Sequence, residues 1–196
     1  ACVRDHAGVL YALTNNHVAA NENQTPIGTV IGQPFGTSPI GVLARFLPIS
    51  FIAPNLADAA LVRVVAAVAY PPYNAAFVGN LLGARALAPD DLNREVRKVG
   101  RTTGVRIGKI SVLEIDGLNV GYDTGIARFN NAVECSGGPE SDFSAPGDSG
   151  SIIVDEDGWA ISHLFAGGRD QTGEDRTYSL PLFDTLDPLG VRLALT

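Results

Sequence analysis

Three short segments hold residues suited to acyl transfer. The first, Pro146-Gly147-Asp148-Ser149-Gly150-Ser151, sets a serine among small, turn-forming neighbours. Such a turn leaves the Ser149 hydroxyl accessible. It also aims the N–H groups of Gly147 and Ser149 at one point, where a developing oxyanion would be stabilised. By itself the segment reads equally as a glycine-rich hairpin turn. The second segment, Leu13-Thr14-Asn15-Asn16-His17-Val18, supplies an imidazole, and the third, Ala57-Asp58-Ala59-Ala60-Leu61-Val62, supplies a carboxylate. A hydroxyl becomes nucleophilic at neutral pH when an imidazole takes its proton and a carboxylate fixes the tautomer of that imidazole. Taken singly, His17 could cap a turn and Asp58 could open a strand. Together the three make a base, an acid and a nucleophile that only a fold can bring into contact.

The elements that must position them are short strands. Apolar, β-branched runs bounded by Gly, Pro, Asn or Asp predict strands over Val9–Leu13, Ile27–Ile31, Val42–Ile49 and Ala59–Val68 in the first half. In the second half they predict Val96–Val99, Ile107–Ile115, Leu118–Tyr122, Ala132–Cys135, Ser151–Val154 and Trp159–Phe165. Many short strands at regular spacing imply an all-β sandwich or barrel. Helical pattern is scarce. One turn is expected over Val18–Asn23 and a short helix over Ala86–Arg94. A terminal helix is expected over about 181–190, where Leu182, Phe183, Leu186 and Leu189 recur at helical spacing. The proline-rich stretch Tyr70–Tyr73 and the charged stretch Asp90–Lys98 bracket a crossover between two lobes, about 1–85 and about 96–180. The polar stretch Gly167–Thr177 reads as a mobile insertion.

Composition narrows the partners. A net charge of -7 argues against a nucleic acid or an anionic membrane surface, both of which call for a basic footprint. The uncharged run Val64 to Ala84 contains Pro71, Pro72, Asn74 and Asn80, too broken for a membrane span. Cys2 and Cys135 have no neighbouring cysteine at metal-binding spacing, and His6, His17 and His163 are scattered, so no metal or cofactor is expected. The two cysteines read as buried thiols. No signal-like segment occurs between Ala1 and Thr196, which leans toward an intracellular protein; a regulatory domain upstream of Ala1 is allowed for.

The segments around His17 and Asp58 resemble those of bacterial HtrA-type proteases. Gly147-Asp148-Ser149-Gly150-Ser151 resembles the nucleophile segment of chymotrypsin-like serine peptidases. Val99-Gly100-Arg101-Thr102-Thr103-Gly104 is similar to a stretch in some trypsin-like domains. The resemblance spans about residues 2 to 168. It implies two six-stranded antiparallel Greek-key barrels with the cleft between them and a protein or peptide as substrate. It further implies His17 as general base, Asp58 as orienting acid, Ser149 as nucleophile, and Gly147 and Ser149 as oxyanion donors. It places Phe143 at the base of the substrate pocket, where an acid would recognise a cationic side chain. Ala166 and Gly167 would form its walls, and His163 would be a candidate contact for an acidic substrate; from the residues alone, Phe143 reads equally as core and His163 first as a packed or hydrogen-bonded histidine. Acidic Asp142, Asp170, Glu174 and Asp175 lie near enough in sequence to restore a cation preference. No activating N-terminal segment opens the chain, so Asp148 is expected to pair with a donor inside it.

A latent or inactive binding module on the same fold is the competing reading, since fold does not fix function. An α/β-hydrolase esterase is rejected. That fold orders its triad serine, acid, histidine around G-x-S-x-G, whereas here the serine comes last.

Overall fold

The computed structural model describes residues 1–32, 39–65, 81–138 and 141–195. The end of the expected strand Ala59–Val68 and the stretch Tyr70–Tyr73 lie outside these residues. The first lobe is built from β1 (Cys2–Asp5), β2 (Leu10–Thr14), β3 (Val30–Gly32), β4 (Pro39–Phe46) and β5 (Ala60–Val64). The connection contributes β6 (Gly83–Ala84) and a single 3-10 turn, Pro89–Asp91. The second lobe carries β7 (Glu95–Gly100), β8 (Gly104–Ile115), β9 (Leu118–Tyr122), β10 (Gly125–Phe129) and β11 (Ala132–Gly137). It continues with β12 (Ile152–Asp155), β13 (Trp159–Arg169) and β14 (Asp175–Pro181). Among the described residues two short helices complete the set, α1 (Asn16–Ala19) and α2 (Leu182–Leu189), and β15 (Val191–Leu193) follows the second.

In the first lobe the strand order is β15-β1-β2-β5-β4-β3, antiparallel throughout. In the second it is β12-β7-β8-β11-β14-β13, and pairing of β12 with β13 closes these six into a barrel. β6 runs parallel along β13, so the connection already adds a short strand to the second sheet. The β9–β10 hairpin stands apart as a two-stranded arm.

The strands form where inward side chains alternate with solvent-facing ones. In β7, Val96 and Lys98 point inward while Glu95 and Arg97 do not. Val96, Ile110, Val133, Cys135, Phe143, Ile153, Ile161 and Leu164 fill the second barrel. The C-terminal helix packs Leu182, Leu186 and Leu189 against Val3, Tyr11, Leu13 and Leu61 of the first lobe. It stops at Gly190, whose φ of 63° is left-handed.

Two local expectations are corrected. Pro89 and the Arg85–Asp91 ion pair hold Ala86–Arg94 as extended chain leading into one 3-10 turn, Pro89–Asp91, and a further turn at Leu92 and Asn93, not as a helix. Gly167–Thr177 is not an insertion but the end of a long β13–β14 hairpin. Its turn is knit by the Asp170 carboxylate, which accepts the N–H groups of Thr172 and Glu174 and the guanidinium of Arg176.

Candidate active site

β2 ends at Thr14, and the chain turns into α1 with His17 on its first turn. Asn15 and Asn16 build that turn. The Asn15 amide donates to the carbonyl of Asp58 at 2.8 Å, and the Asn16 amide donates to Leu47 and Asn23. Beyond the helix, Asn21, Glu22 and Asn23 all take left-handed φ angles of 46°, 56° and 75°. Asparagine tolerates this region, but glutamate there is strained and must be held by its contacts. Glu22 supplies them: its carboxylate accepts the N–H of Asp123 (2.9 Å), the N–H of Thr124 (2.8 Å) and the Thr124 hydroxyl (2.5 Å). The loop after His17 is thereby fastened to the tip of the β9–β10 arm of the other lobe.

Asp58 lies fully buried just before β5. His17 Nδ1 is 2.5 Å from Asp58 Oδ2, and the His17 backbone N–H donates to Oδ1 at 3.2 Å. A carboxylate only accepts, so in the neutral imidazole the proton sits on Nδ1 and Nε2 keeps its lone pair. The Tyr122 hydroxyl, at the end of β9, donates to Oδ2 at 3.0 Å. Burial and the neighbouring Asp58 charge push the Tyr122 phenol far above its usual range, which keeps it a donor.

Ser149 follows a turn over Ala145–Asp148 closed by the Asp148 N–H on Ala145 O at 3.0 Å. Pro146 and Gly147, with φ of +99° at Gly147, occupy the central positions as in a type II turn. Among the described residues neither the Gly147 nor the Ser149 N–H has a protein acceptor, although the Asp148 N–H between them is used. Gly150 brings this turn against the other lobe. A Cβ there would lie 2.9 Å from the Thr14 hydroxyl, and its φ is +89°. Ser149 and His17 line one interlobe cleft of about 550 Å³. No hydrogen bond joins the Ser149 hydroxyl to the imidazole, a looseness common in unliganded sites.

Asp148, 1% exposed, points away from the cleft into the second lobe. Lys98 Nζ meets its Oδ2 at 2.6 Å with both side chains fully buried. The Thr103 hydroxyl (2.6 Å) and the Thr102 N–H (2.8 Å) add to the cluster. Burial alone would raise the Asp148 carboxyl, but Lys98 and these donors hold it down to about 2. The expected internal partner is thus Lys98. A lysine at an inward position of an alternating strand is the signal that could have found it.

The pocket residues divide. Ala166 and Gly167 line the cleft. Phe143 does not: it is 0% exposed and packed in the core of the second barrel. His163 is likewise buried and does not line the cleft, while the next residue, Leu164, does. Burial brings the imidazole of His163 down to about 3, so it stays neutral and makes no acid-recognising cation. Four carboxylates line the cleft among the described residues, Glu22, Asp123, Asp142 and Asp175; Asp175 accepts the Phe143 N–H at 2.7 Å and is raised above its ordinary value by burial. Asp142 also lines the cleft but is paired with Arg169.

No protein-family model and no curated protein matches the sequence. The structure is similar to a chymotrypsin of Cellulomonas bogoriensis, with 22% identity over 98% of this chain and 89% of that one and a TM-score of 0.64. Protease A of Thermobifida fusca gives 22% identity, coverage of 98% and 88%, and a TM-score of 0.64. A glutamic-acid-specific serine protease that uses a histidine triad in substrate binding gives 19%, 99% and 91%, and 0.67. The fold is chymotrypsin-like.

Proposed function

We propose that the protein is a serine endopeptidase. The observation that carries this reading is the 2.5 Å contact of His17 Nδ1 with the buried Asp58, which leaves Nε2 free in the cleft that Ser149 lines. In this reading His17 takes the Ser149 proton as the hydroxyl attacks a peptide carbonyl. The unpaired N–H groups of Gly147 and Ser149 receive the oxyanion. The imidazolium, balanced by Asp58, then returns the proton to the leaving amine, and water releases the acyl-enzyme. A fluorophosphonate should label the purified protein at Ser149, and Ser149→Ala should abolish both labelling and peptide turnover. A folded protein that is not labelled would favour the latent binding module instead.

Substrate preference follows from the cleft's charges. Asp175 has no ion-pair partner among the described residues, so a cationic side chain beside the scissile bond would relieve a carboxylate that burial disfavours. Peptides with Lys or Arg at that position should be cleaved fastest. Asp175→Asn should erase the difference from neutral peptides. Lowering the pH should weaken it too, because the raised Asp175 carboxyl takes up its proton earlier on acidification than an ordinary one.

A further inference from the structure

Asp58 is 0% exposed, and no permanent cation touches it among the described residues. Its side chain receives the backbone and ring N–H groups of His17, and beyond these only the Tyr122 hydroxyl. A buried carboxylate short of donors is costly, and the one neutral donor that reaches Oδ2 from outside the His17 segment governs where that oxygen sits.

That donor comes from the opposite lobe. Tyr122 ends β9, and its ring packs on His17 (centroids 5.8 Å apart), Phe51 (6.3 Å) and Phe129 (6.2 Å). The arm that carries it is fixed to the first lobe at both ends. At the tip, Glu22 takes the N–H groups of the two residues that follow Tyr122. At the base, the Asn55 N–H donates to Arg128 O at 2.8 Å, and the Asn130 N–H donates to Asn55 O at 2.9 Å. The contacts form a closed circuit from His17 through α1 to Glu22, across to the hairpin tip, back through Tyr122 to Asp58, and so to His17. The strained φ of Glu22 is the local cost of closing it.

We propose that Tyr122 is a positioning residue of the triad: its hydroxyl, delivered by the clamped β9–β10 arm, holds Asp58 Oδ2 and through it the orientation of the His17 ring. This deepens the peptidase reading and rests on it for its kinetic consequence, but not for its spectroscopic one. Both lobes then build the triad's acid–base half, and the arm's docking, not only the nucleophile turn, sets competence.

The test is Tyr122→Phe, which keeps the ring contacts and removes only the donor. Its kcat on a peptide or ester should fall roughly tenfold, the loss of one hydrogen bond to a charged group, with KM little changed and the melting temperature preserved. In the proton NMR spectrum the downfield His17 Nδ1–H resonance should shift. Glu22→Gln, which loosens the arm from outside, should move the same resonance in the same sense by less. It also serves as the reporter if Tyr122→Phe fails to fold. An unmoved resonance in the folded variant overturns the proposal, as does an unchanged kcat. If the wild-type protein takes no fluorophosphonate label, the peptidase reading fails separately, and the resonance alone decides the role of Tyr122.

Discussion

Asp58 and Asp148 are both buried carboxylates, one on each side of the cleft, and they are neutralised in opposite ways. Asp148 is matched by the ammonium of Lys98 and surrounded by the N–H groups of Thr102 and Thr103 and the Thr103 hydroxyl. Asp58 has neutral donors and an imidazole. A permanent counter-ion locks a charge in place, which suits an anchor for the nucleophile turn. A charge left without one remains available to stabilise an imidazolium that forms only during reaction. If the proposed peptidase reading holds, the contrast teaches that burial does not tell a structural acid from a catalytic one; the nature of the partner does.

The sharpest way to break this contrast is to remove each charge and ask what is lost. Asp58→Asn should reduce kcat by roughly 10⁴-fold, about 5.5 kcal/mol on the transition state of the proposed reaction, while the melting temperature changes little. Were stability lost instead of rate, Asp58 would be an anchor like its counterpart. Lys98→Ala should do the reverse. It strands Asp148 in a dry environment and should cost about 3–5 kcal/mol in denaturant unfolding. Combining it with Asp148→Asn should recover part of that loss.

Acid sharpens the comparison further. The Asp148 carboxyl sits near 2 in the folded chain, below its ordinary 3.8, so its contribution is fully present above the ordinary value and disappears as pH falls through about 2. Melting temperatures of the wild type should therefore drop between about pH 4 and pH 2, and Asp148→Asn should flatten that stretch of the curve. The smallest effect is expected at Gly150→Ala. Its Cβ would press on the Thr14 hydroxyl at a positive φ, and calorimetry should find a destabilisation of about 1–3 kcal/mol.

Much of this was legible in the sequence because strands announce themselves by alternation and the three reactive segments are local. All ten expected strands overlap observed ones in kind if not at their ends, and Asp148 has the internal partner its segment called for. What escaped was non-local. β1 and β15 are too short to signal alone and exist by pairing with each other. Tyr122 reads as the last apolar residue of a strand, and only the folding of the arm across the cleft brings its hydroxyl to Asp58. Phe143 and His163 each allowed a core or a cleft reading, and only the packing of the second lobe decides between them: both are buried, while Leu164, beside His163, lines the cleft.

The pairing of β15 with β1 carries a consequence for biogenesis. Residues 191–193 leave the ribosome after every other strand described here, yet they cover one flank of the very first. Until then β1 offers an open hydrogen-bonding edge, and Val3 and Leu13 lack the leucines of α2 that later shield them. Vectorial synthesis thus cannot finish the first lobe before the second, and a nascent chain halted midway would be a client for chaperones.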